Sequence, residues 1–266
     1  MRLARVALGL VSWLVLGFLA LPVLVVVPLS LSSVRYYIFP PPGWSTRWYT
    51  NFFASQEWHA AIAVSLGVGV MSTAAALVLG TLAALGLAQA SFRGKSLVYA
   101  AILSPLMVPT IIIAIALYFS LAPLGLVGSP IAIALGHVAL GTPYVAIVVA
   151  AALERFDPML ERAALSLGAH PLTAFRRVTL PIIRPALLAA SFLAFLASFD
   201  ELIIALFLSG PEMRTLPVQM WRGIRLESDP TIAAVSTLLI GASALVFLVV
   251  SLTQLRMART SPTMRT

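Results

Sequence analysis

Residues 60–90 read AAIAVSLGVGVMSTAAALVLGTLAALGLAQA, and no charged side chain interrupts them. A helix rises 1.5 Å per residue, so about 20 apolar residues cross the hydrocarbon of a bilayer. This run exceeds that length, which predicts a tilted helix or one with a protruding end. Within it Ser72, Ala76, Gly80, Ala84 and Ala88 recur at every fourth position. That face permits close approach of another helix. Outward from it lie five further apolar runs, at about 6–31, 97–121, 130–153, 185–208 and 231–255. The fold expected is all-α: a polytopic membrane protein with six transmembrane helices.

The composition agrees. Of the 266 residues 61% are hydrophobic and 10% charged, and the mean hydropathy is +1.02. A soluble domain carries about 25% charged residues, so lipid must solvate most of this surface. There is no cysteine, which excludes disulfides and thiolate chemistry. His59, His137 and His170 are far apart and none sits in an H-E-x-x-H setting, so no metal site is expected. The formal charge of +8 reads as membrane orientation and not as nucleic-acid binding. With the N-terminus inside, twelve of the 17 Lys and Arg residues fall on the inner side, so both termini are expected in the cytoplasm. Arg2 and Arg5 would also suit a signal peptide, but the apolar run after them exceeds the usual 7–15 residue core, roughly, and a retained helix is expected. The organisation expected is a first helix and external loop (1–59), a transmembrane domain (60–255) and a cytoplasmic tail (256–266).

The external loop carries Tyr36, Tyr37, Trp44, Trp48, Tyr49, Phe52, Phe53 and Trp58 around Pro40-Pro41-Pro42-Gly43. Such rings suit the membrane–water interface, and a belt is expected in preference to solute contact. Gly94-Lys95-Ser96 imitates the end of a phosphate-binding loop, but position 89, where that loop needs glycine, is Gln89, and no strand precedes it. The chain is not expected to bind ATP itself.

Between the fourth and fifth runs the chain reads ERFDPMLERAALSLGAHPLTAFRRVTLP, residues 154–181. Pro158 suits a first helical turn, Gly168 a helix end, and Pro171 the start of a second short helix. A helix–glycine–helix unit is therefore expected on the inner side, with small and apolar residues beside basic ones. A loop of this length usually has a function, here docking of a partner protein.

This loop resembles the EAA motif of the permease subunits of binding-protein-dependent ABC importers, E-A-A-x3-G-x9-I-x-L-P. Ala163 and Ala164 match the alanines, Gly168 the glycine, Val178 takes the isoleucine place, and Leu180 and Pro181 close the motif. Arg162 stands where the family has glutamate, with Glu161 beside it but about 100° away on a helix. The resemblance implies the type I importer permease fold, with 158–181 as the segment that docks on a separate ATPase. The coupling residues it implies are Glu161, Arg162, Ala163, Ala164, Gly168, Ala169, Pro171, Phe175, Arg176, Leu180 and Pro181. Arg93-Gly94-Lys95, Ser198-Phe199-Asp200-Glu201, Ser209-Gly210-Pro211 and Leu216-Pro217 look like the spermidine/putrescine branch. Related permeases move opines, aminoalkylphosphonates or ferric iron. The partners implied are an ATP-binding subunit pair, a second similar permease in a heterodimer, and an external solute-binding protein. No cofactor is implied on this chain, ATP being bound by the partner.

Asp200 and Glu201 are the only carboxylates inside an expected span, and carboxylates at the bilayer centre cost about 2.5–3.5 kcal/mol on insertion scales. One reading is a relay for an organic cation, with Phe199 and Tyr144 as aromatic neighbours on the pathway. The other is capping or hydrogen bonding to another helix, and one of the adjacent pair is expected to face protein. A proton-coupled secondary transporter using these carboxylates is the alternative from another class. An intramembrane enzyme is disfavoured: His137 lies in an apolar span, but no Gly-x-Ser-x-Gly setting is present.

Overall fold

The computed structural model describes residues 2–227 and 230–260. The end of the expected tail, 261–266 with Arg265, lies outside them. Among the described residues there is no strand, only an isolated bridge between Ser32 and Trp44. The helices are α1 (Arg2–Ser30), α2 (Arg47–Ala54), α3 (Gln56–Gln89), α4 (Lys95–Leu103), α5 (Thr110–Leu121) and α6 (Pro130–Glu154), then α7 (Pro158–Ser166), α8 (Pro171–Ala174), α9 (Leu180–Phe199), α10 (Ile203–Leu208), α11 (Leu216–Arg222) and α12 (Thr231–Thr260).

Four helical stretches are long and apolar enough to span: Leu8–Ser30, Gln56–Gln89, Pro130–Glu154 and Pro171–Phe199. The third expected span is broken. It runs from Lys95 to Leu106, turns by 96°, and resumes at Thr110. Pro109 explains the break, since it has no N–H for the carbonyl four residues back and its ring clashes there. Met107 stands 86% exposed at the bend. The fifth span differs from expectation as well: α9 stops at Phe199, so Asp200 and Glu201 lie in a break before α10 and not within a continuous helix. In the sixth run the described apolar stretch is Thr231–Leu245.

The chain forms two compact units. One comprises the residues up to Trp58 and those from Met220 on. In it α1 and α2 both pack on α12. The loop aromatics are partly structural here and not wholly a belt. Trp48, Phe52 and Trp58 are buried, and the Trp48 indole donates to the Ser32 carbonyl at 2.6 Å. Tyr36, Tyr37, Trp44 and Phe53 remain exposed.

The other unit spans His59–Gln219 and is organised around α6 packed along α9. The small-residue face of α3 is buried at Ser72, Ala76, Gly80 and Ala84, while Ala88 is exposed. A Cβ on Gly80 would stand 2.6 Å from the Val145 Cβ and 2.9 Å from the Thr142 carbonyl, so only glycine lets α3 and α6 approach this closely. Ala76, Val145, Val149, Ile183, Ala190 and Ala194 form one apolar cluster. Ala114, Ile133, Ile204 and Leu208 belong to a second, which ties α10 to α5 and α6.

Candidate functional site

The inner segment is built by local caps. Asp157 accepts the Met159 N–H at 2.9 Å and starts α7 together with Pro158. Gly168 ends it at φ +86°, with its N–H on the Leu165 carbonyl and that of Ala169 on the Ala164 carbonyl. His170 Nδ1 then accepts the Leu172 N–H, and Pro171 begins α8. A wide helical turn over Phe175–Thr179 joins α8 to α9. The helix–glycine–helix reading of the sequence therefore describes this segment.

Its side chains divide into two sets. Arg162, Ala163, Gly168, Pro171, Arg176 and Pro181 are exposed, whereas Ala164, Ala169, Phe175 and Leu180 are half-buried. Glu161 turns inward, and the buried Thr179 hydroxyl donates to its carboxylate at 3.0 Å. That bond fastens α7 to the foot of α9. Sequence reasoning expected small and apolar residues here but did not single out the exposed ones, Met159, Leu160, Leu165, Leu172 and above all Leu167, 90% exposed beside the helix-ending glycine. Large apolar side chains interleaved with arginines in a polar loop were the available signal.

At the other end of α9 a cavity of about 410 Å³ opens. It is lined by the bend of the third span (Pro105, Leu106, Val108, Thr110), by Leu140 and Tyr144 of α6, and by Leu193, Leu196, Ala197, Asp200 and Glu201. Leu193, Leu196, Ala197 and Asp200 follow one face of the helix. Phe199 lies one residue, or about 100°, off that face. It does not line the cavity and stacks on Phe195 at 5.7 Å. The structure thus brings together Asp200, Glu201 and Tyr144 but leaves Phe199 elsewhere.

The two carboxylates differ. Asp200 is exposed, and among the described residues no ion pair reaches it. Glu201 is 9% exposed, and its carboxylate accepts the N–H groups of Ile203, Ile204 and Ala205 at 2.9–3.0 Å. These are donors that a helix N-terminus leaves without intrahelical partners. His137 Nε2 lies 3.3 Å from the same carboxylate, an ion-pair distance but not a well-aligned hydrogen bond. His137 Nδ1 is 2.7 Å from the Ser198 hydroxyl, which accepts from Ser72 at 2.9 Å. A buried polar chain thus joins α3, α9, α6 and α10. Sequence reasoning missed Ser72 and Ser198 in this role, and nothing local in the sequence marks them.

Residues 76–260, which include both regions, match the family of binding-protein-dependent transport system inner membrane components. The chain belongs to this family. It is 37% identical over 242 residues to the putrescine transport system permease protein PotI of Escherichia coli (strain K12), covering 88% of this chain and 86% of that one. It is 29% identical over 224 residues to the spermidine/putrescine transport system permease protein PotC of the same strain, covering 84% of each. A bacterial ABC transporter involved in import of the acidic polysaccharide alginate has a chain of the same fold, with TM-score 0.71 at 19% identity, covering 96% of this chain and 97% of that one. The chain is therefore a permease component of a solute importer, with the type I importer fold, and not an enzyme. Membership makes it an inner-membrane protein that works with an ATPase and a solute-binding protein.

Proposed function

We propose that this permease imports a small organic cation of the polyamine type. The observation that carries the reading is the Asp200 carboxylate, presented beside Tyr144 in a cavity at a break in a membrane helix. An ammonium group leaving water needs a carboxylate or an aromatic face to offset its desolvation, and this cavity offers both. The likeness to putrescine and spermidine/putrescine permeases supports the same solute class.

In this proposal both termini face the cytoplasm, and 158–181 docks on the ATPase. Leu167 and its apolar neighbours enter the partner's groove, with Arg162 and Arg176 at the rim. Ala163, Ala164, Gly168, Ala169, Pro171 and Phe175 shape the segment, while Glu161, Leu180 and Pro181 join it to α9. ATP is bound by the partner, and this chain holds no cofactor. ATPase closure moves the segment, and α9 carries the motion to Asp200 and to the cavity, giving alternating access. Such a switch requires that the partners stabilise the two states differently. A second, distinct permease completes the pathway.

The test is uptake of labelled putrescine and spermidine into vesicles containing the chain with its partner subunits, with and without ATP. ATP-dependent uptake is the expected result. Uptake that needs no ATPase, driven by a proton gradient, would replace this reading with a secondary transporter.

A further inference from the structure

Glu201 and Asp200 are adjacent, yet one carboxylate is enclosed and the other open to the cavity. Behind Glu201 lies a chain of buried polar groups from three helices. Each serine hydroxyl has one proton to donate. With Ser72 donating to Ser198, Ser198 can donate to His137 Nδ1, although the Gly69 carbonyl, 3.2 Å from the Ser72 hydroxyl, shares that first proton; the other ring nitrogen, Nε2, faces Glu201. A buried polar network of this kind holds its partners in one arrangement. Ser72 is 2% exposed and His137 1% exposed, so water does not compete.

We infer that His137 is a positioning residue for the solute cavity: acting through Glu201, it fixes the break between α9 and α10 and so sets where Asp200 presents its charge. The backbone gives the coupling its route. Asp200 ends α9 with its N–H on the Leu196 carbonyl, and Glu201 follows at once, its carboxylate tied to α10 and facing His137. Gly136 supports the same contact. A Cβ there would stand 2.5 Å from Ile204 Cγ2, so α10 rests on the backbone beside His137. If Glu201 loses His137, the break can turn about the end of α9, and Asp200 turns with it. The inference deepens the cationic-solute reading but does not depend on which solute is carried.

The absence of cysteine makes the test direct. Thr110→Cys places one thiol of this chain on the wall of the cavity that Asp200 also lines. Its modification rates by a cationic and by a neutral thiosulfonate reagent are compared in the assembled complex. A nearby carboxylate concentrates cations, so the cationic reagent should react roughly tenfold faster relative to the neutral one than it does with Asp200→Asn. His137→Ala should lower the preference to that of Asp200→Asn, and should add nothing in the Asp200→Asn background. His137→Gln, which keeps a donor and an acceptor, should restore at least part of it.

An unchanged preference in His137→Ala would overturn the inference, as would an equal drop when Asp200 is already Asn, or a preference that Asp200→Asn leaves intact. Should His137→Ala fail to assemble, Ser198→Ala removes only the hydroxyl that orients the ring. A reduced preference is expected there too, and an unchanged one counts against the inference. Labelling needs no transported solute, so a complex with these rates but no putrescine uptake would refute the polyamine reading alone.

Discussion

The foot of α9 meets a segment whose turns are closed by residues two to five positions away, while its head meets a break closed by residues up to 126 positions away. At the foot, Asp157, Gly168 and His170 shape the chain locally and leave Leu167 and the arginines outside. At the head, Ser72, His137 and Ser198 converge from three helices and bury what they hold. The difference suits the two tasks. A surface that docks on another subunit must keep its apolar residues available and can be rebuilt turn by turn. A charge beside a cavity in the membrane must stay where it is, because misplaced polar groups there are costly and no water corrects them.

The largest effect that would break this contrast is expected from Glu201→Ala. It removes the acceptor of two buried N–H groups and of a third that is half-buried, together with the carboxylate that faces His137, and each buried donor left unsatisfied costs about 1–3 kcal/mol. The yield of assembled complex and its melting temperature should both fall, and Glu201→Gln should recover part of each. A normal melting temperature would show that the head of α9 is held by packing alone. Leu167→Asp should act in the opposite manner. The isolated chain should melt as before, since Leu167 touches little of it, while ATPase co-purification should weaken by about 2 kcal/mol or more, as for a central interface residue. Co-purification at the wild-type level would remove Leu167 from the docking surface. Asp200→Asn comes next, with intact assembly and about tenfold less putrescine uptake, one carboxylate–ammonium contact of about 1.4 kcal/mol being lost. Uptake at the wild-type rate would disconnect the cavity from transport.

Legibility in the sequence follows the same division. The inner segment could be read because each of its signals is local: proline at a first turn, glycine at a helix end, fixed spacings between them. The apolar runs could be read because a span needs only length and lack of charge. The broken third span was less accessible. Pro105 and Pro109 marked it, but proline is tolerated in membrane helices, as Pro143 within α6 shows. The head of α9 was legible only as a pair of unusual carboxylates. Which of them faces protein depends on where α9 stops, and that depends on His137 and Ser72, 64 and 129 positions before Glu201. Phe199 was misplaced for the same reason: one residue of rotation decides between cavity and stack.

Two glycines give the smallest and sharpest comparison. Gly168 ends α7 at φ +86°, and an added Cβ would meet nothing within 4 Å. Gly136 lies within α6 at an ordinary helical φ, and an added Cβ would meet Ile204 Cγ2 at 2.5 Å and Leu117 Cδ1 at 3.1 Å. The first glycine is needed for conformation and the second for space. Gly136→Ala should cost about 1–3 kcal/mol as overpacking and should depend on its neighbours. Trimming Ile204 to Ala, which removes Cγ2, should therefore recover part of the lost melting temperature, whereas Val, which keeps that methyl, should not. Gly168→Ala should cost about 1 kcal/mol, from left-handed backbone strain, and no trimmed neighbour should relieve it. Gly168→Asn, whose side chain tolerates that conformation, should relieve it instead. Rescue of Gly168→Ala by trimming a neighbour, or of Gly136→Ala by a change to Asn, would mean that the foot of α9 is packed and its head is not, the reverse of what the distances imply.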